Sequence, residues 1–587
     1  MEMVMIHAKD HKTGYLFDPW DYLGPKRRKL IDESWAGLFR KHILNELPVD
    51  KLARFFTEGF GRPTKELYTV LGVLLLQQTH DLTDEETIAQ LSFNLQWHYA
   101  LDIMGESDEV KYMSPKTLWS MRNMMMEKGI DADMFRQSTD KLAKVFDVDT
   151  SRQRLDSVHI YSNMKRLGRI GIFVRSIHKF LVNLKRQHGD LMDTLPKEVV
   201  DRYLPEKGLV CFSMVKPSEA ERTLGIVSKD LFDLTRCFHD HPEVMSMSSF
   251  LLLLRVLKEQ CSVSQTLEGM PVEVGVKPAK EVSSDSLQNP TDPDATYDGH
   301  KGQGYQVQVM ETYLDTKDQE IREKTLNLIT HVDLETACKS DCHALIPAIE
   351  STSARGVGPD EVLADSLYGH DENCEVAKEM EVAVVSPVMG TLKEGSIGLS
   401  EFSLSDMGDV IACPEGHTPV WTKNKEKKHT AAFEPARCSA CPLKATCPVN
   451  DGKKYRYLRY KDKEWRIAIR RAKEHTDEFK EKYRWRSGIE GTMSEYAKKT
   501  GVKRLRVRGF LAVRVCVTLK AIGINIFRAT AVRKAIRAQG GNSGIEKSVL
   551  GLVIFVLKKL YGKIHRRLEQ IFSSQAHHNY FELKTVA

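Results

Sequence analysis

Two short apolar segments, far apart in the chain, each contain an aspartate, and they constrain the fold more than any other feature. Residues 155–160 alternate apolar and polar side chains around Asp156, and residues 362–369 place Asp365 at the end of an apolar run. Both segments have the length and pattern of strands, with helical patterns elsewhere between them. Alternating strands and helices predict an α/β core with parallel pairing, whose functional groups gather at the carboxyl ends of strands.

These aspartates are unusual because a buried carboxylate needs a cation or hydrogen-bond donors beside it. A third acid, Glu490, stands among arginine, lysine and aromatic residues. On one continuous helix, Tyr483, Arg486 and Glu490 would share a face. Three such carboxylates suit a pair of divalent cations, which phosphodiester chemistry uses. The alternative interpretation is structural: the aspartates would cap turns, and the charged helix would be a solvated surface.

Length and charge narrow the class of protein. A chain of 587 residues is too long for one core and predicts several units. The net charge is +6, and the positive side chains collect between residues 453 and 514, which predicts a polyanionic partner. No signal sequence opens the chain, and no apolar run approaches the roughly 20 residues of a membrane span. We therefore expect a cytoplasmic protein without a membrane partner.

Apolar spacing divides the chain into helical and mixed regions. Thr83 and Glu86 have the spacing of a capping box, and Ser114 with Pro115 begins another helix. A basic tail that ends the chain would lie on DNA or be solvated, with equal weight. The predicted units are an all-helical DNA-binding domain over residues 1–148, a catalytic core over 149–535 interrupted by a helical insertion over 168–275 and a cysteine-rich insertion over 410–452, and a basic helical tail over 536–587.

The cysteine-rich insertion has the spacing of a zinc site. A C-x2-C pair is followed by another cysteine and preceded by a distant fourth, which suits tetrahedral coordination by thiolates. A closed site of this kind has no open position, so the metal would be structural, in a small zinc-ribbon-like insertion. The alternative is reduced thiols without a metal. The predicted Zn²⁺ ligands are Cys413, Cys438, Cys441 and Cys447, with His417 in reserve.

Together, the three acidic segments resemble the catalytic signatures of bacterial insertion-sequence DDE transposases of the Tyr-x2-Arg-x3-Glu type. The likeness covers nearly the whole chain, because residues 60–63, 91–94 and 299–305 also resemble parts of that family. The resemblance implies a ribonuclease-H-like mixed sheet at the core of a multidomain α/β protein. It also implies that Asp156, Asp365 and Glu490 are the catalytic acids and hold two Mg²⁺ or Mn²⁺ ions.

The resemblance further implies an activity on double-stranded DNA. Such an enzyme binds the terminal repeats of its own element, cuts at the ends and joins the freed 3′ hydroxyls to target DNA. Relatives of this type release the element through a DNA hairpin and act as homodimers in paired-end complexes, here expected at the bacterial nucleoid. Trp485 would stack on an unpaired base or lie in a core. The predicted DNA contacts are Tyr483, Arg486, Lys498, Arg504, Arg506 and Arg508.

Two features depart from the family pattern. The family has a lysine seven positions after the glutamate, but Ala497 stands there and Lys498 follows, about 100° further around a helix. Gly488 and Gly491 flank the glutamate and each weaken a helix by about 1 kcal/mol. These departures keep two alternatives open: a domesticated or inactive DNA-binding protein, and a ribonuclease-H-like nuclease without strand transfer. The helical N-terminal domain and helical insertion favour the transposase.

Overall fold

The structure is a computed structural model that describes residues 6–539, apart from residues 12, 14–15, 17, 58–61, 206–211, 213–214 and 266–270. It is a mixed α/β protein, about half helical, with a curled mixed sheet. The chain divides into two compact units, residues 1–529 and residues 530–587. The features below belong to the first unit, apart from the last ten residues of the final described helix. Most of the predicted basic tail, from residue 540 onward, lies outside the described residues, as do Phe60 and Gly61 of the N-terminal likeness.

The described residues between 6 and 145 form helices joined by turns, and helix is what the sequence predicts there. The Thr83 hydroxyl accepts the Glu86 N–H while the Glu86 carboxylate accepts the Thr83 N–H, which confirms the capping box. A later helix begins at Pro115 with Ser114 as its cap, also as predicted. The helices are α1 (Pro25–Asp32), α2 (Trp35–His42), α3 (Val49–Ala53), α4 (Leu67–Thr79), α5 (Asp84–Phe93), α6 (Leu95–Ala100), α7 (Asp108–Lys111), α8 (Pro115–Lys128) and α9 (Ile130–Val145).

A helical block interrupts the chain after the first strand, β1 (Arg152–Tyr161). Its buried apolar side chains form a core of their own, which includes Phe173, Phe180 and Leu253. The prediction of helix is wrong at the end of the block. Residues 261–265 and 271–276 pair there as two antiparallel strands. The elements are α10 (Arg169–Gln187), α11 (Gly189–Met192), α12 (Lys197–Tyr203), α13 (Ala220–Cys237), α14 (Pro242–Met245), α15 (Ser248–Gln260), β2 (Cys261–Gln265) and β3 (Pro271–Val276).

The central sheet follows this block and has the order β4-β5-β1-β7-β8, with β6 paired to β5. Strands β7 and β8 run parallel to β1, whereas β5 is antiparallel to β1, β4 and β6. The predicted strand around residue 362 is present, as β7. The elements are β4 (Thr296–Asp298), β5 (Gly302–Thr312), α16 (Gln319–Lys324), β6 (Ile329–Thr336), α17 (Leu345–Ser353), β7 (Glu361–Leu363), α18 (Asp371–Glu379) and β8 (Ala383–Val385).

The cysteine-rich region forms a small β unit. One sheet has the order β11-β12-β14-β13, and β9 pairs with β10. The strands of this unit extend beyond residue 452, the predicted end of the insertion, as far as Lys461. The elements are β9 (Ser403–Leu404), β10 (Val410–Ala412), β11 (Trp421–Lys425), β12 (Lys428–Phe433), α19 (Pro435–Ser439), β13 (Asn450–Asp451) and β14 (Arg456–Lys461).

The glutamate segment does not form the continuous helix that the sequence predicts. After α20 (Asp462–Glu474), helix α21 (Asp477–Tyr483) passes into a 3-10 turn (Arg484–Ser487), and α22 (Gly488–Thr500) then begins. A residue distant in the sequence holds this turn: the Trp485 carbonyl accepts a hydrogen bond of 2.8 Å from Arg154 of β1. Tyr483 and Glu490 therefore belong to different helices.

The last described helix, α23 (Phe510–Gln539), contradicts one expectation. By length and composition it could cross a membrane, so the expectation that no segment reaches that length is wrong. However, 72% of its apolar window is buried inside the protein, which is also the setting of a core helix. Apolar spacing alone cannot distinguish the two settings, since a helix that is apolar all round suits either.

Candidate active site

The sheet brings Asp156, which lies in the middle of β1, close to Asp365, which follows the end of β7. Strands β1 and β7 are parallel, and Arg154 pairs in register with Leu363. Each of these residues lies two positions before an aspartate, and residues i and i+2 of a strand share a face. The two carboxylates consequently project from the same face of adjacent strands, but Asp156 lies within β1 and not at a strand end, because pairing with β5 continues to Tyr161.

The loop that carries Asp365 is fixed to the next strand. The Asp365 carboxylate accepts the Leu367 N–H at 2.9 Å, and the Asp365 carbonyl accepts the Ser386 hydroxyl at 2.7 Å. Gly369 is required here, because a Cβ at this position would lie 2.0 Å from the Ser386 oxygen. The strand end and its glycine thus set the position of the carboxylate.

Arg486 joins two of the three predicted acids. Its Nη2 lies 2.7 Å from Oδ2 of Asp156, and its Nη1 lies 3.4 Å from Oε1 of Glu490. The side chains of Arg486 and Asp156 are 19% and 16% exposed, whereas Glu490 is 68% exposed. The glutamate is therefore the solvent-facing member of the group.

The electrostatics confirm that these side chains share one environment. Burial raises the pKa of Asp156 to about 6; Arg486 and the Ser157 N–H oppose this shift, while Asp365 and Asp341 add to it. Burial also raises the pKa of Tyr483, with the two predicted aspartates adding and Arg486 opposing. The Tyr483 ring stacks on Phe479 at 5.5 Å. The protein thus brings Asp156, Asp365, Glu490, Tyr483 and Arg486 together.

Asp341 is a fourth carboxylate at this site that sequence reasoning missed. It begins a 3-10 turn after β6, and its oxygens accept the Gln308 amide at 2.8 Å and the Ser157 hydroxyl at 3.2 Å. Lys301 lies 4.0 Å away, and burial raises the pKa of Asp341. The sequence signal for Asp341 is an acid that follows a strand. Four residues separate it from the end of β6, however, so it resembles an ordinary loop residue.

The basic residues predicted to contact DNA form a second group. Residues 501–509 lie against the end of β1, where the Tyr161 N–H donates to the Lys503 carbonyl at 2.9 Å. Arg508 donates to Asn163 at 3.0 Å, and Arg506 pairs with Asp81 at 2.9 Å. Tyr161 lies five residues beyond Asp156, or roughly 16 Å along a strand. The side chains of Lys498, Arg504, Arg506 and Arg508 are all exposed.

Trp485 lies beside the acids but not in a core. It is partly exposed, and the Arg484 guanidinium lies 5.7 Å from the centre of its ring. The interpretation of Trp485 as a fully buried core residue is therefore wrong, because the 3-10 turn keeps the ring at the surface.

The four cysteines of the predicted zinc site surround one small cavity, together with His417. Burial raises the pKa of Cys438; Arg456 opposes this shift, and Cys447, Cys413 and Cys441 add to it. Within the described ranges, however, no group of three or more His, Cys, Asp or Glu side chains is arranged to hold a metal ion. This applies to the thiols and to the carboxylates, so neither predicted metal site is preassembled there.

Two segments of the chain match families of known proteins. Residues 412–530 match the family described as "Transposase DDE domain", and residues 30–124 match the family described as "Transposase domain (DUF772)". The first segment contains the four cysteines and Glu490, whereas Asp156 and Asp365 lie outside both segments. No curated protein and no solved structure matches the chain.

Proposed function

Because this chain is an insertion-sequence DDE transposase, we propose that it binds the terminal repeats of its own element, cleaves the DNA there and joins the ends to target DNA. One observation carries the proposal. Arg486 contacts both Asp156 and Glu490, and Asp365 acts electrostatically on Asp156. Three acids from distant parts of the chain thus converge beside a residue suited to binding phosphate.

The strand order supports a ribonuclease-H-like core. Strands β1, β7 and β8 are parallel to one another. On the other side of β1 the sheet adds β5, which is antiparallel to β1, and then β6, which is antiparallel to β5. The two aspartates leave the parallel strands, and the glutamate comes from a helix that contacts β1. The acids are thus divided between the sheet and a helix that packs on it.

By their chemistry the three carboxylates suit divalent cations, although they do not form a preassembled metal site among the described residues. Mg²⁺ and Mn²⁺ prefer hard oxygen ligands, and Asp156, Asp365 and Glu490 supply them. The observation that supports the fit is that Asp365 and Asp341, after burial, each raise the pKa of Asp156, so these carboxylates lie close enough to act on one another. When bound, two such ions would activate the attacking oxygen and stabilise the leaving oxygen.

The side chains of this chain perform the remaining tasks. Arg486 can exchange a carboxylate for a DNA phosphate, because its planar fork binds either one bidentately. Tyr483 can donate a hydrogen bond to a neighbouring phosphate oxygen from its position near both aspartates. Asp156 and Asp365 stay on the sheet during this exchange. Phosphate binding by Arg486 would therefore free carboxylate oxygens at the same moment that DNA enters.

The exposed basic residues supply a path for the DNA backbone. Arg504, Arg508 and Lys498 neutralise phosphates without reading sequence, so they would strengthen binding to any duplex. The N-terminal helices are proposed to bind the element ends. The working complex is a homodimer that pairs two ends, located in the bacterial cytoplasm at the nucleoid.

The zinc proposal is structural. Thiolates suit Zn²⁺, and Cys413, Cys438, Cys441 and Cys447 line the same cavity. Bound there, zinc would cross-link a small β unit whose apolar core includes Phe433 and Leu458. This unit directly precedes α20 in the chain. A rigid unit would therefore fix the position at which α20 begins.

Cleavage of a labelled duplex with the ends of the element, taken from the DNA flanking its coding sequence, tests the function. Wild type with Mg²⁺ should cut at the ends, and Glu490→Gln should reduce cutting by at least about a hundredfold. The matched control is Glu481→Gln, because Glu481 and Glu490 are both 68% exposed and both pair with an arginine. Equal cutting by wild type and Glu490→Gln would contradict the proposal.

A second assay separates the alternatives. Ends that are already cleaved should be joined to a target plasmid by wild type, because they carry the free 3′ hydroxyls that strand transfer needs. Nicked plasmid without joined product would identify a nuclease. Binding without either product, with Mg²⁺ and with Mn²⁺, would identify a DNA-binding protein.

A further inference from the structure

Glu311 is a fully buried carboxylate at the centre of an ionic network. It lies on β5, is 0% exposed, and its oxygens are 2.6 Å from Arg154 Nη2 and 2.8 Å from Arg528 Nη1. Burial alone would raise its pKa, but Arg528 and Arg154 outweigh burial and the pKa of Glu311 is lowered. The carboxylate is therefore held in its charged form inside the protein.

The network extends to α22. Arg528 also pairs with Glu495 of α22 at 2.8 Å, and Lys499 lies 2.7 Å from the other oxygen of Glu495. Removing one partner of a buried pair strongly destabilises a protein, whereas apolar residues of similar volume often stabilise it equally well. The network is thus an expensive way to obtain stability. Its advantage is that hydrogen bonds fix directions, which apolar contacts do not.

The network holds both ends of the join between the 3-10 turn and α22. Arg154 donates to the Trp485 carbonyl at 2.8 Å, which fixes the turn. The Thr492 hydroxyl lies 2.7 Å and 2.8 Å from the two oxygens of Glu311, which fixes the helix. Arg486 and Glu490 lie between these two anchors. Any movement of the anchors would therefore move the residues that meet Asp156.

The network also explains why glycine stands at position 488, where helix preference alone would favour another residue. A Cβ on Gly488 would lie 2.0 Å from Arg154 Nη1, so a larger residue would push the guanidinium away. At Gly491, three residues later, a Cβ would meet nothing within 4 Å. The first glycine is needed for the approach of Arg154, and the second is not.

We propose that Glu311, with Arg154 and Thr492, positions the start of α22 so that Arg486 contacts both Asp156 and Glu490. Glu311 is a positioning residue, because its contacts are with Arg154, Arg528 and Thr492 and not with the acids of the site. The effect on cleavage rests on the proposed function. The effect on α22 does not, since it concerns only the packing of the helix.

Thr492 offers the sharpest test, because valine keeps its shape and loses its hydroxyl. Hydrogen exchange should be faster over residues 484–500 in Thr492→Val and Glu311→Gln, and unchanged over α4 and α9. Thr492→Ser should retain wild-type exchange, because it keeps the hydroxyl. The control is Asp131→Asn, which removes another buried carboxylate paired with an arginine, Arg514, away from α22. Asp131→Asn should leave hydrogen exchange over residues 484–500 at the wild-type rate.

Single-turnover cleavage supplies the second measurement. At saturating DNA, Thr492→Val and Gly488→Ala should be slower by about tenfold or more, since small misplacements of reacting groups are costly. Their affinity for the element ends should stay within about twofold. Thr492→Ser and Gly491→Ala should cut at the wild-type rate.

The results distinguish the two proposals. Unchanged exchange over residues 484–500 in both Thr492→Val and Glu311→Gln would overturn the positioning role. Equal losses in Thr492→Val and Thr492→Ser, or faster exchange throughout the chain, would also overturn it, because either result indicates a general packing role. If wild type does not cut DNA, the proposed function fails, but the exchange pattern still decides whether Glu311 positions α22.

Discussion

Arg486 and Asp156 form an ion pair of 2.7 Å although 330 positions separate them in the chain. The guanidinium contacts Oδ2 of Asp156, and that oxygen is one of the atoms proposed to bind a divalent cation. Arg486 and the cation therefore compete for one carboxylate. The same side chain would hold the acids together before DNA arrives and bind a phosphate afterwards.

Replacement of Arg486 by glutamine should change metal binding and cleavage in opposite directions. Loss of the competing cation should tighten Mn²⁺ binding by about tenfold, or about 1.4 kcal/mol. Loss of the phosphate ligand should slow cleavage at saturating Mn²⁺. Calorimetric titration with Mn²⁺ and cleavage of the labelled duplex measure the two effects.

Arg484→Gln is the control, because Arg484 pairs with the exposed Glu481 on the outside of the same turn. It should leave both quantities unchanged. Weaker Mn²⁺ binding in Arg486→Gln would contradict the competition.

The sequence predicts the sheet strands and the two aspartates well because these features are local. Alternation and an acid at a strand end are visible over a few residues, and β1 and β7 form where the pattern indicates. The break before α22 was not predicted, because its cause is Arg154, a residue 331 positions away. Asp341 was missed for the same reason, since its partners Ser157 and Gln308 come from two other strands.

Gly369→Ala should destabilise the protein. The added Cβ would lie 2.0 Å from the Ser386 oxygen, and that hydroxyl holds the Asp365 carbonyl. Overpacking of this kind costs about 1–3 kcal/mol. Urea denaturation measures the loss, and cleavage should fall with it because Asp365 loses its support. Gly491→Ala is the control: open space surrounds it, so the free energy of unfolding should rise by up to about 1 kcal/mol.

Cys441→Ser should abolish zinc binding. Wild type purified without chelator should contain about one zinc per chain, because four thiolates complete a structural site. Elemental analysis of the purified protein measures the metal. Cys374→Ser is the control, since Cys374 is half-buried on α18, outside the cysteine-rich region. Equal zinc in wild type and Cys441→Ser would contradict the predicted ligand set.

Asp81→Ala should weaken the attachment of the N-terminal helices to the core. The Asp81 carboxylate lies 2.8 Å from Lys520, whose ammonium is 1% exposed and also donates to the Thr500 carbonyl. Removal of the acid leaves a buried cation, so we expect a loss of about 2 kcal/mol, reduced from the usual value because Asp81 is 42% exposed. The double variant Asp81→Ala with Lys520→Met should lose less, because it removes both charges. Thermal or urea denaturation distinguishes the two variants.

The buried histidine of β6 should make the protein less stable in acid. Burial, followed by nearby Arg355 and Arg136, lowers the pKa of His331 from 6.5 to about 4. Between these pH values the unfolded chain binds a proton that the folded protein does not, so the free energy of unfolding rises with pH. The rise is at most about 1.4 kcal/mol per pH unit, or roughly 3 kcal/mol across the window. In urea denaturation, His331→Gln should give a shallower slope between pH 4 and 6.5 and a constant difference from wild type above pH 7; an unchanged slope would show that His331 is not the responsible group.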